Sequence, residues 1–296
     1  MNIKNVFITG ATGYIGGSVA SLLIRKGYHV TGLVRKEADA EKLQALGVAA
    51  VLGTTHDTPL MREQALKADA IIHTADSADN PYVVDTFLEA LKGTGKTFIF
   101  TSGSAIFGGK DNGEKTDFVF TEDIPLQPRL EMAHRVIINN HVLQAATQNI
   151  RSIVIVPPMV YGEGLGLKKD SIQVPALLKI ANQKGVGFYI EKGENIWSTV
   201  HIEDLAQLYL NTLEKAKPGA LFYAENGETS LKEIAKSISK KLGAEQTISI
   251  GIDEAVQLFG PAGAYFGFAS NSRCNADKAR TLLGWRPKHV SIHDYI

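Results

Sequence analysis

The segment Thr9-Gly10-Ala11-Thr12-Gly13-Tyr14-Ile15-Gly16-Gly17 carries the densest chemical information in this sequence. Gly10, Gly13 and Gly16 stand where a turn leads into an amphipathic stretch whose apolar face is Ile15, Val19, Leu22 and Leu23. A side chain at these positions would block the turn or hold the backbone away from an anion. Glycine instead lets a pyrophosphate rest on the amides of a helix N-terminus. A glycine triplet alone is a weak signal. Here it follows a strand pattern, Val6 to Thr9, opens a helix and precedes a second strand, His29 to Val34, within about 30 residues, as a dinucleotide fingerprint requires. Gly10, Thr12, Gly13, Tyr14, Ile15 and Gly16 are therefore the expected cofactor contacts of the loop.

The end of the second strand bears on which dinucleotide fits. An acid there would hold the adenosine ribose hydroxyls, whereas a cation accepts a 2′-phosphate. The chain reads Val34-Arg35-Lys36, with no acid before Glu37, which favours NADP(H) and leaves NAD(H) as the alternative. Arg35 could also stack on adenine without any 2′-phosphate, or be a solvated surface cation. Asp57, shortly after the third strand, either meets the adenine amino group or caps the helix that begins at Pro59.

The elements needed to hold these residues are legible as an alternation of apolar runs and helical patterns. Strands are expected at Val6 to Thr9, His29 to Val34, Ala49 to Leu52, Ala70 to His73, Thr97 to Thr101 and Ile153 to Val156. Helices are expected up to Gly27, from Thr58-Pro59, from Asn80-Pro81, and from Arg129 to Asn149. Six strands in this order specify an α/β fold, a doubly wound parallel sheet of the Rossmann type. Beyond Pro158, helices near Ile172 to Ala181 and Glu203 to Lys215, a strand at Leu221 to Tyr223 and a capping box at Ser230 and Glu233 suggest a smaller C-terminal substrate-binding lobe. The division is drawn as residues 1–158 for the dinucleotide-binding domain and 159–296 for the lobe, with the part near 195–223 returning to the core.

Several further segments are similar to those of the extended short-chain dehydrogenase/reductases, the NAD-dependent epimerase/dehydratase family. They are the glycine loop, Ile72-His73-Thr74-Ala75, Phe100-Thr101-Ser102, Pro157-Pro158-Met159-Val160-Tyr161-Gly162, Val200-His201-Ile202-Glu203-Asp204-Leu205-Ala206 and Leu282-Leu283-Gly284-Trp285-Arg286-Pro287. The resemblance implies oxidoreductase chemistry at a nicotinamide, and it adds Thr74, Ala75 and Pro158 to the cofactor contacts. In that family a Ser or Thr after the fifth strand binds the substrate oxygen, and a Tyr four residues before a Lys transfers the proton. Here Gly103 takes the hydroxyl position between Ser102 and Ser104, and Glu131 and Arg135 take the Tyr and Lys slots. None of the nine tyrosines has Lys four residues later.

A hydride delivered to a carbonyl leaves an alkoxide that needs a donor. Ser104, His134, Tyr161 or a bound water could supply it, and Arg135 would hold the nicotinamide ribose. Three readings follow. The first is an NADP(H)-dependent reductase of a small apolar or aromatic carbonyl compound, with a non-standard proton donor. The second is a catalytically inactive NADP(H)-sensing protein. The third is a sugar-nucleotide epimerase or dehydratase, which Trp197 disfavours because it stands where such enzymes commonly place a diphosphate-binding Arg. Ile196, Ser198, Phe107, Met132 and Met159 are candidate pocket residues or core.

Composition narrows the partners. In 296 residues, 31 Lys plus Arg balance 31 Asp plus Glu, so neither nucleic acid nor an anionic membrane is an expected partner. The most apolar segment, Ser152 to Val160, is far short of the ~18 residues a spanning helix needs. The lone Cys274 cannot form a disulfide within the chain, and the first strand begins too early to leave room for a signal peptide; together these point to a cytoplasmic protein. Eight histidines contain no His-Glu-x-x-His, so no metal is expected. His201, Glu203 and Asp204 read as a helix start. The expected partners are a small-molecule substrate and, because family members often dimerise through long helices, a second copy of the chain through the helix Arg129 to Asn149.

Overall fold

The computed structural model describes residues 3–75 and 77–296. Its first half alternates β1 (Asn5–Thr9), α1 (Tyr14–Arg25), β2 (His29–Val34), α2 (Glu37–Ala45), β3 (Ala49–Leu52), α3 (Thr58–Lys67), β4 (Ala70–His73), α4 (Pro81–Leu91), β5 (Thr97–Thr101), α5 (Leu130–Gln144) and β6 (Arg151–Val156). The chain continues through β7 (Met159–Tyr161), α6 (Gln173–Lys184), β8 (Phe188–Ile190), β9 (Ile196–His201), α7 (Ile202–Lys215), β10 (Ala220–Tyr223), β11 (Glu228–Ser230), α8 (Leu231–Lys241), β12 (Ile248–Ile250), α9 (Ile252–Ala262) and α10 (Asp277–Leu283).

The central sheet has seven strands in the order β10-β6-β5-β4-β1-β2-β3, all paired in parallel. Six of them are the strands expected for the dinucleotide-binding half, and the seventh, β10, is the strand expected at Leu221 to Tyr223, which returns to this sheet. The chain runs outward from β1 through β2 to β3, then returns to β4 and runs the other way. The reversal leaves a crevice at the C-terminal ends of β1 and β4, where doubly wound sheets bind ligands.

Parallel strands are covered on both faces, so β4 and β5 read as continuous buried runs without polar alternation. The two faces still sort by residue parity. Val6, Ile8, Ile72, Ile153 and Ile155 pack under α1 and α7, whereas Phe7, Ile71, Phe98, Phe100, Val154 and Val156 pack under α3, α4 and α5. A third cluster, with Met159, Leu177, Phe188, Trp197, Ile234 and Phe268, fills the C-terminal lobe.

Local signals explain most element ends. Ser230 Oγ accepts the Glu233 amide and opens α8, and Gly27, at φ +85°, follows the end of α1. The long helix is shorter than its pattern. α5 ends at Gln144, and Ala145–Gln148 tightens into a 3₁₀ turn closed by Asn149 in the left-handed conformation, whose side-chain amide donates to the Gly93 carbonyl. Among the described residues no helix is long and apolar enough to cross a membrane.

The C-terminal segment returns to the main core. Trp285 is fully buried beside α7 and α10, and its indole N–H donates to the Asp204 carbonyl at 2.8 Å. Trp285→Ala would open a cavity and remove that indole bond, with an expected loss of about 3–5 kcal/mol in denaturant unfolding.

Candidate active site

At the end of β1 the chain turns through Gly10, at φ +74°, and the Gly13 amide donates to the Gly10 carbonyl at 2.8 Å. Gly13 is the N-cap of α1, without a side-chain cap, and the first turn carries no acid. Its leading amides therefore lack intrahelical acceptors and face an anion site. A β-carbon on Gly16 would overlap both the Gly10 carbonyl and Thr74 Oγ1. Thr74 fills that space from β4 because its hydroxyl donates to the Thr9 carbonyl at 2.7 Å. A cradle closed to side chains but open to backbone contact fits the pyrophosphate of a dinucleotide.

The remaining loop residues have different surroundings. Thr12 is half-buried. Ile15 packs against the core, and the Tyr14 ring is buried with its hydroxyl donating to the Gly162 carbonyl at 2.8 Å. Tyr14 thus offers the anion site its backbone, while its side chain braces the loop after β7. Leu165 strengthens this contact by donating its amide to Ser18 Oγ at 3.0 Å. Pro158 is buried in the turn between β6 and β7.

Beneath the loop lies a residue to which the sequence analysis assigned no role. Thr9 Oγ1 receives the Thr74 and Ala75 amides at 3.3 and 3.4 Å and lies 2.6 Å from His73 Nδ1. With its lone pairs so occupied, the hydroxyl donates to Nδ1. The His73 proton is then on Nε2, among the rings of Phe87, Phe98 and Phe100. Burial pushes the His73 pKa down to about 3, so the ring is neutral. Its signal was a histidine ending an apolar strand, but only the paired β1 and β4 show its partner.

At the end of β2, Arg35 and Lys36 are exposed and form no ion pair among the described residues. Asp57 Oδ1 accepts the Leu60 amide at 3.2 Å, so the carboxylate caps α3 as the second of its two expected roles required.

The opposite end of the crevice is formed by β5 and α5. Arg135 reaches the end of β5 beside Gly103: an ideal β-carbon on Gly103 would lie 4.0 Å from Arg135 Nη1, an ordinary contact. Arg135 donates through Nε and Nη2 to the two oxygens of Asp79, at 2.7 and 2.8 Å, and His134 Nε2 lies 3.0 Å from Asp79 Oδ1. The Arg135 side chain is 22% exposed and that of His134 49%, so Arg135 is the inner member of the pair. Partial burial alone would raise the Asp79 pKa, but the bonds from Arg135 and His134 hold the carboxyl below its ordinary value. The Ser104 amide donates to the Pro157 carbonyl at 3.2 Å, and its hydroxyl is uncommitted among the described residues. Ser102 Oγ is buried without a partner. Glu131 pairs with Lys110 at 2.8 Å, and the Lys110 ammonium also lies over the Tyr265 ring.

Two expectations require correction. Tyr161 is 1% exposed, its hydroxyl donates to the His289 carbonyl at 3.1 Å, and burial pushes its pKa up. A phenol so enclosed and engaged is a packing residue, which removes it from the candidate proton donors. Trp197 and Ser198 do not line an open pocket either. Trp197 packs on Phe268, with its indole N–H on the Ser270 carbonyl, and Ser198 bonds the Cys274 backbone. Phe107 likewise stacks on Phe120 inside the core.

His201, Glu203 and His289 bring donor atoms within 4.8 Å of one another. His201 Nδ1, however, accepts the Glu203 amide at 3.3 Å, which puts the proton on Nε2, buried against Gly162. His289 stacks on His201 and bonds Asp204, whose carboxylate also receives the Lys288 and His289 amides. These contacts describe an anchor for the C-terminal segment. Burial, reinforced by His289, pushes the His201 pKa down to about 4.

Comparison with known proteins places these features in a lineage. A model of the NAD dependent epimerase/dehydratase family matches residues 6–222. An uncharacterized protein of Schizosaccharomyces pombe is 32% identical, over 97% of this chain and 96% of that protein. A sterol-4-alpha-carboxylate 3-dehydrogenase (decarboxylating) of Dictyostelium discoideum is 27% identical, over 77% of this chain and 73% of its own length. Among solved structures, the dTDP-glucose 4,6-dehydratase of Bacillus anthracis, in complex with NAD, superposes with a TM-score of 0.78. It is 17% identical, with coverage of 99% of this chain and 95% of that one.

Two outcomes are expected from this geometry. Gly13→Asp keeps the extended N-cap conformation but brings its β-carbon to 3.0 Å from the Gly10 carbonyl, so the loop must shift slightly, and it puts a carboxylate at the anion site. Isothermal titration should show affinity for a nicotinamide dinucleotide reduced by ~100-fold or more, with only a small drop in the thermal midpoint. The second outcome concerns pH. His73 and His201 are held neutral while an unfolded histidine titrates near 6.5, so below that pH the unfolded chain binds protons that the folded chain refuses. The thermal midpoint should fall as pH drops from about 6.5 towards 4, and His73→Asn should flatten that slope.

Proposed function

This chain belongs to the NAD dependent epimerase/dehydratase family, and on that basis we propose that it is an NADP(H)-dependent oxidoreductase that reduces a small carbonyl compound. The observation that carries the reading is the glycine cradle closed by Thr74, with two unpaired cations, Arg35 and Lys36, at the adjacent strand end. The first holds a pyrophosphate on bare amides; the second suits a 2′-phosphate better than free ribose hydroxyls.

When bound, the nicotinamide supplies a hydride to the acceptor carbon. The chain's own residues must then stabilise the oxyanion and deliver a proton. Arg135 Nη1 is the guanidinium nitrogen that Asp79 leaves free, and it faces the Gly103 gap. It serves as a hydrogen-bond donor to the oxyanion and the nicotinamide ribose. A guanidinium stays protonated, so it is not the acid. Ser104 is the hydroxyl that passes a proton to the alkoxide and takes one from water. His134 stands further out, on the solvent side of Asp79.

Two features support a small acceptor over a nucleotide sugar. The position that would carry a diphosphate-gripping Arg is Trp197, 3% exposed, and the neighbouring Ser198 is also buried. Lys110, which pairs with Glu131 near the start of α5, lies over the half-buried Tyr265 ring, which supplies aromatic surface on that side. A second copy of the chain is the proposed partner, through α4 and α5, where Tyr82 and Ile137 are exposed.

The test is to follow absorbance of the reduced cofactor with purified protein and a panel of aldehydes, ketones and quinones. Turnover with NADPH, preferred over NADH by ~10-fold or more, is expected, and Arg35→Asp should reverse the preference. Tight NADPH binding without turnover across the panel would replace this reading with the sensor.

A further inference from the structure

We infer that Asp79 is the positioning residue of the reaction centre: it fixes the plane of the Arg135 guanidinium so that Nη1 faces the gap left by Gly103. The inference rests on the reductase reading given above. Asp79 closes the short turn Ser77–Asp79, which connects β4 to α4, and Arg135 stands in the first half of α5. The two residues are 56 positions apart in the chain and meet only because their elements flank the same crevice.

The geometry is that of a fork. Nε donates to Oδ1 at 2.7 Å and Nη2 to Oδ2 at 2.8 Å, so two parallel charge-assisted bonds fix both the position and the rotation of a long side chain. The third nitrogen, Nη1, has no partner among the described residues. It lies 4.0 Å from where a Gly103 β-carbon would be, at the position where the family pattern puts the substrate-binding hydroxyl. One carboxylate thus takes one edge of the guanidinium, two of its five N–H donors, and leaves Nη1 directed towards Gly103. His134 Nε2 shares Oδ1 at 3.0 Å and adds a second contact from α5 that keeps the carboxylate from rotating.

A surface ion pair would behave differently. The Asp79 side chain is 53% exposed, so solvent screening keeps even this bidentate pair from adding much to stability, and removing the charge should hardly disturb folding. Positioning has a kinetic signature instead, since a misplacement of about 1 Å at a reacting group can cost ~100-fold in rate. NADPH affinity, set mainly by the glycine loop and Arg35, should be nearly unaffected.

The test compares the full-length protein with Asp79→Asn and Asp79→Glu. Asp79→Asn should lower kcat by ~10- to 100-fold, with KM for NADPH changed less than ~3-fold and an unshifted thermal midpoint. Asp79→Glu, which keeps both oxygens, should recover part of the loss. Independently of turnover, the Arg135 Nε–H resonance should exchange slowly with solvent in the nucleotide-free protein and lose that protection in Asp79→Asn. If the unsubstituted enzyme reduces a carbonyl and Asp79→Asn does so at the same kcat, the inference falls and the reductase reading stands. If the unsubstituted enzyme reduces nothing on the panel, the reading itself falls and takes the inference with it.

Discussion

Thr74 Oγ1 occupies the volume that a β-carbon on Gly10 or Gly16 would need, and the hydroxyl is held there by the Thr9 carbonyl. The ligand-facing architecture depends on this contact. It ties the end of β4 to the end of β1 where the strand order reverses, and it brings the first turn of α1 close against the sheet with its amides free. Thr9 completes the arrangement from below by receiving the next two amides and donating to His73. The glycines are thus required by two constraints at once: the turn, and a neighbouring side chain already filling the space.

A guanidinium lies beside Gly103 at the end of β5, and Asp79 neutralises most of that charge while leaving one nitrogen exposed to the crevice. A carboxylate, a guanidinium and a serine hydroxyl therefore occupy a region where the family pattern expects Ser, Tyr and Lys. The chemistry such a set can support differs accordingly. Such a set offers hydrogen-bond donors to an anion, while the family's phenol is missing and Tyr161 is enclosed.

The C-terminal lobe is connected to the cofactor loop through a short series of contacts. Asp204, buried at the start of α7, accepts the Lys288 and His289 amides, while its carbonyl takes the Trp285 indole. His289 stacks on His201, whose Nε2 abuts Gly162, and the Gly162 carbonyl receives the Tyr14 hydroxyl at the first turn of α1. Residues far apart in sequence thus converge on the backbone that forms the anion site, which explains why so many polar side chains near the crevice are engaged in structure and not in chemistry.

The glycine loop, the five strands up to Thr101 and the cations after β2 were legible in the sequence. Each is a local signal: a turn that needs glycine, an apolar run, a residue type at a strand end. The extent of α5 was misjudged because helical periodicity continues into Ala145–Gln148, while the actual stop is the left-handed Asn149 bonded to Gly93, a partner 56 residues away. Which of its two roles Tyr161 takes is not legible for a similar reason, since a tyrosine beside the crevice and one locked onto the His289 carbonyl have the same sequence neighbourhood. The partners of Asp79 and His73 were settled only by tertiary structure, whereas the cap of α3 by Asp57 is a local bond that the sequence already offered. A sequence fixes which groups can donate, accept or carry charge, but which lone pair is already occupied depends on distances between elements, and those exist only once the sheet has assembled.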